Sequence, residues 1–137
     1  MANTKSIGVA FLDQDIIGAQ YLLSDEQIGY TAAAQGTVTQ ATDKSTAVTL
    51  NKPAGRITMN GAALAGNTAV TFTLNNSFIS ANDMVILTIS GGQATPGSYN
   101  VFANSLSAGA VSITLRNISG GSLSEAIVIN FALIHCA

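Results

Sequence analysis

Ala69-Val70-Thr71-Phe72-Thr73-Leu74 alternates apolar and polar side chains without a break. Successive side chains of a strand point to opposite faces, so Val70, Phe72 and Leu74 share one face while Thr71 and Thr73 take the other. A helix would scatter these residues around its axis. Ala110-Val111-Ser112-Ile113-Thr114-Leu115-Arg116 repeats the pattern, and Val38, Val48 with Leu50, Ile57 with Met59, and Tyr99 with Val101 continue it more weakly. Strands apolar on one face only call for a second sheet to cover that face.

From Gly36 onward the spacing predicts eight strands, near 36–41, 47–51, 55–60, 69–75, 84–90, 98–104, 110–117 and 126–134. Turn chemistry separates them. Lys52-Pro53-Ala54-Gly55 and Thr95-Pro96-Gly97 place Pro where φ near −65° helps, and Asn60-Gly61, Gly91-Gly92 and Gly120-Gly121 are further breaks. The expected fold is all-β, an antiparallel β-sandwich of about eight strands over residues 36–137, with jelly-roll and immunoglobulin-like strand orders both open, preceded by an irregular N-terminal arm over residues 1–35.

Two of the strands are apolar on both faces. One is Met84-Val85-Ile86-Leu87-Thr88-Ile89. The other runs Ala126 to Ile134, where Ile127, Ile129, Phe131 and Leu133 suit the core. Its opposite face presents Val128, Asn130, Ala132 and Ile134, a mostly apolar set that needs a cover and marks a candidate subunit interface. The cover is either the N-terminal segment or a neighbouring copy.

The arm mixes apolar Ile7, Val9, Phe11, Ile16, Ile17, Tyr21 and Leu22 with acidic Asp13, Asp15, Asp25 and Glu26, and has no sustained period. Those seven apolar residues are the candidate partner-binding set. They either pack on their own domain or reach across a neighbour.

Charged residues make up 9% of the 137, where roughly 25% is typical of soluble domains, and the net charge is −2. Little repulsion keeps copies apart, which favours self-association. Five Lys and Arg along the whole chain give no basic footprint for phosphates, so no nucleic-acid partner is expected. No apolar run approaches the length of about 18 residues that a membrane helix requires, and Ile7 to Leu12 is too short for a secretory leader. No membrane association and synthesis in a cytoplasm are expected.

Chemistry has little to work with. His135 is the one histidine and Cys136 the one cysteine; neighbours in a strand face opposite ways, which disfavours a shared metal. No Gly-x-Ser-x-Gly elbow occurs, Asp13-Gln14-Asp15 lacks the other ligands of a calcium loop, and the glycine pairs lack phosphate-loop spacing. No catalytic, cofactor or metal site is expected, and the chain reads as a non-enzyme. A sugar-binding role is the rival, using loops such as 91–97 or 118–125, with Phe78, Phe102, Tyr21 and Tyr30 as the candidate exposed aromatics.

The stretch Gly36-Thr37-Val38-Thr39-Gln40-Ala41-Thr42-Asp43-Lys44-Ser45-Thr46-Ala47-Val48-Thr49-Leu50-Asn51-Lys52 resembles one found in small virion structural proteins of tailed bacteriophages. So does Leu115-Arg116-Asn117-Ile118-Ser119-Gly120-Gly121-Ser122-Leu123-Ser124-Glu125-Ala126. The likeness spans about residues 36–134. It implies a capsid decoration, or cement, protein: a homotrimer of jelly-roll-like β-sandwiches on the outer surface of a virion, bridging the major capsid protein. A receptor- or glycan-binding module of a phage tail or fibre is the alternative.

Overall fold

The computed structural model describes residues 20, 21 and 23–136. After a single 3₁₀ turn at Ala32–Ala34, these residues form eight strands: β1 Gln35–Thr39, β2 Val48–Thr49, β3 Ala54–Thr58, β4 Ala69–Asn75, β5 Met84–Gly91, β6 Tyr99–Ser107, β7 Ala110–Asn117 and β8 Val128–Ile134. The strands stack as two four-stranded sheets, β1-β3-β8-β5 and β2-β4-β7-β6, so the predicted β-sandwich is the fold. Each predicted strand is present.

The wiring differs from the antiparallel, jelly-roll-like arrangement expected. Through its first six strands the chain crosses from one sheet to the other at every connection, and a chain that leaves a sheet and returns runs in its original direction. β1 therefore pairs with β3 in parallel, as β2 does with β4. Hairpin-like turn chemistry in the sequence does not reveal this, because a turn residue does not say whether the next strand stays in its sheet. Only β6 and β7 are consecutive and adjacent.

The last two strands enter the middle. β7 lies antiparallel between β4 and β6, and β8 lies antiparallel between β3 and β5. Period two then aims Phe72 and Leu74 of β4, Val111, Ile113 and Leu115 of β7, and Ile129, Phe131 and Leu133 of β8 into the space between sheets. There they pack with Val48, Ile57, Met59, Ile79, Tyr99 and Ile127. Each such side chain contributes roughly 1.5–3 kcal/mol on burial.

Two buried amides hold strand ends. Asn76, just beyond β4, donates to the Lys52 carbonyl at 2.7 Å and accepts from the Phe78 N–H at 3.0 Å. Asn117, closing β7, donates to Leu64 and Gly121 and accepts from the N–H and hydroxyl of Ser119. Asn117-Ile118-Ser119 is thus a structural turn with its asparagine fully buried.

The loop after β5 shows what a glycine can be required for. Gly92 has φ +87°, and a Cβ there would lie 2.1 Å from the Ala126 carbonyl oxygen; Gly97 has φ +82° but open space around it. Gly97→Ala is expected to cost about 1–2 kcal/mol, the left-handed strain alone. Gly92→Ala should cost clearly more, because backbone must move as well. Ile129→Ala, at a fully buried position, is expected to cost about 2–5 kcal/mol. Urea denaturation of the three variants checks the ranking.

Candidate functional site

The two outer faces of the sandwich are chemically different. On the β2-β4-β7-β6 sheet, Thr71 and Thr73, Ser112, Thr114 and Arg116, and Asn100 and Asn104 point outward. The Thr71 and Thr114 hydroxyls are bonded at 2.7 Å, and Asn104 donates to the Thr114 hydroxyl at 3.0 Å. Phe102 is the exposed aromatic in this polar field.

The outer face of the β1-β3-β8-β5 sheet divides in two. Its middle is polar: Arg56 of β3 and Ser90 of β5 both donate to the Asn130 amide oxygen, at 3.2 and 2.9 Å. One end is apolar. The register sets Ala132 beside Ile86, and Ile134 beside Met84, and Met84, Ile86 and Ile134 are all about half exposed to solvent. A groove of about 470 Å³ runs along this end, between that row and Ile28, Gly29 and Tyr30.

The predicted interface residues Val128, Asn130, Ala132 and Ile134 do share this face. Asn130 is tied into the polar middle, while Ala132 and Ile134 line the groove. The sequence did not join them to Met84 and Ile86, because strand neighbours were unknown. Of the predicted arm residues, Ile7, Val9, Phe11, Ile16, Ile17 and Leu22 lie outside the described residues. Tyr21 is described and is 74% exposed.

The loops named for a sugar-binding role are pinned to each other. The Ala94 N–H donates to the Glu125 carboxylate, and Leu64 bridges to Leu123. Beneath them sits a polar cluster that the sequence did not signal. Lys44, in what reads as a plain polar turn, is buried, and its ammonium donates to the backbone carbonyls of Asn60, at 2.6 Å, and Glu125. Desolvation lowers its pKa, with the Glu125 charge partly opposing the shift. Burial pushes the Tyr99 phenol up to about 12, aided by Glu125.

His135 is exposed, and its Nδ1 lies 2.8 Å from the buried Asp83 carboxylate. That carboxylate also accepts from the Ser80 hydroxyl at 2.6 Å, the Ser80 N–H at 2.9 Å and the Cys136 N–H at 3.0 Å. A hydrolytic triad puts histidine between serine and acid so that it can take the hydroxyl proton. Here the acid sits in the centre and holds the Ser80 hydroxyl itself. The arrangement clamps the end of β8 to the start of β5.

Among the described residues no three His, Cys, Asp or Glu side chains come together as a metal-binding group, and no helix is long and apolar enough to cross a membrane. No family model, no curated protein and no solved structure matches the chain.

The Ser80 hydrogen bonds, first of all, hold the Asp83 carboxyl well below its ordinary value of 3.8, with help from Cys136 and His135. A depressed folded-state pKa contributes stability that is complete above the unfolded value and is lost as pH falls from about 4 toward the folded value. Asp83→Asn is therefore expected to lower stability at pH 7 and to flatten its fall between about pH 4 and pH 2. Urea midpoints of both proteins across that range supply the check.

Proposed function

We propose that this chain is a bacteriophage capsid decoration protein, which binds the outer surface of the shell as a homotrimer and stabilises it by bridging major capsid proteins. The observation that carries the reading is the bare apolar row of Met84, Ile86, Ala132 and Ile134 on a sandwich with few charges. Monomeric domains seldom leave such rows uncovered, and contiguous exposed apolar patches mark interaction surfaces. The resemblance of residues 36–52 and 115–126 to tailed-phage virion proteins supplies the shell as partner.

Such a protein acts by equilibrium binding. A trimer gripping several shell subunits at once gains avidity beyond any one contact, and what binds only the assembled state stabilises it by mass action. Contacts made by apolar side chains, threonine and asparagine feel little screening, since the Debye length bears only on charges. Light scattering is expected to give three times the 13.9 kDa chain mass. Retention on purified capsids should change by less than about threefold between 50 and 500 mM NaCl, given how little charge takes part. A monomer that passes through a capsid pellet without binding would remove the proposal.

The second reading is a glycan-binding module of a tail or fibre. It draws on Phe102, exposed between Asn100 and Asn104 on the polar face, an apolar ring edged by amides. Glycan-array binding that disappears in Phe102→Ala, with no retention on capsids, would favour it over decoration.

A further inference from the structure

We infer that the groove at the apolar end of the β1-β3-β8-β5 sheet takes the N-terminal segment of a second copy of this chain. The inference rests on the self-association in the proposed function and names the surfaces that perform it. Two uncovered apolar surfaces on the same chain carry it.

The first is the groove, with Ile86, Ala132 and Ile134 along one side and no Lys, Arg, Asp or Glu among its described lining residues. The second is the segment that leads into β1. Traced backward from Gln35 at one edge of the sheet, the chain crosses the outer face to β8, where the Tyr30 hydroxyl donates to the Leu133 carbonyl. Gln35 steadies the crossing by donating to the Tyr30 carbonyl at 3.1 Å. Among the described residues before Tyr30, Tyr21 is 74% and Leu23 87% exposed, and Ile28, on the groove wall, is 74% exposed.

Residues 28–30 wall the groove of their own copy and are not free to enter another, whereas Tyr21 and Leu23, exposed beyond that wall, can enter the groove of a second copy. Such a contact joins two different surfaces, segment to groove, and repeated by a rotation that closes it forms a ring. A three-membered ring is the homotrimer. Each copy then covers one groove and has its own covered.

The lone cysteine makes this testable in the full-length chain, since Cys136 follows the groove-lining His135. Tyr21→Cys, Leu23→Cys and Gln27→Cys are each made in unlabelled and ¹⁵N-labelled form. The two forms are mixed in urea, refolded together and oxidised. Linked peptides joining the new cysteine to Cys136 are expected to pair one light and one heavy half, and to vanish when Cys136→Ser is added. Linkage within like-labelled chains only, or none at any of the three positions, overturns the inference.

A second measurement uses exposed groove positions, where folding is not at stake. Ile86→Lys and Ile134→Lys are expected to weaken self-association at least tenfold, a change of about 1.4 kcal/mol, with the thermal transition retained; unchanged association overturns the inference. A trimer still retained on capsids, but without segment linkage, would leave the proposed function standing and remove this inference alone. A monomer that ignores capsids would remove both.

Discussion

The insertion of β7 and β8 into the middle of the two sheets is the constraint on which the remainder of this structure depends. β1, β3 and β5 run in one direction, and β8 must come between β3 and β5 before that sheet has a ladder wider than the β1–β3 pair. β7 does the same for β4 and β6. Six of the large core side chains, Val111, Ile113, Leu115, Ile129, Phe131 and Leu133, arrive on these two strands. The last part of the chain therefore closes both sheets at once, a non-local topology that makes folding slow relative to a helical bundle of equal size.

The same insertion creates the half-exposed apolar face. β8 is central, so its inner side chains are claimed by the core and its outer ones stand in the middle of a sheet surface, with β5 beside them. Asn130 in the middle of β8 is met by Arg56 and Ser90, and that part of the surface is satisfied. Two residues further on nothing polar remains to be met. The Asp83 clamp on the end of β8 fixes this apolar end in place, with His135 both in the clamp and at the groove.

Strand positions were legible in the sequence because burial on one face imposes period two, and Val70, Phe72 and Leu74 could satisfy it in no other regular structure. The double-sided character of β8 was legible too, since Val128, Asn130, Ala132 and Ile134 do share its outer face. Lys44 was not: nothing in Asp43-Lys44-Ser45 distinguishes a lysine that will be buried under carbonyls from one in water. Nor was Asp83, whose partners Ser80 and Cys136 lie on separate parts of the chain. Both depend on which loops meet, and side-chain period carries no information on that.

The sequence by itself determined an all-β sandwich, its strand set, its core faces and its poverty of charge, since each follows from local periodicity and composition. Only the tertiary structure decided that two edge pairs are parallel, that Met84 and Ile86 join Ala132 and Ile134, and that the segment before β1 crosses the same face. Those are facts of adjacency between distant strands. They are set by how many times the chain passes between sheets before it returns, a global property that no window of residues records.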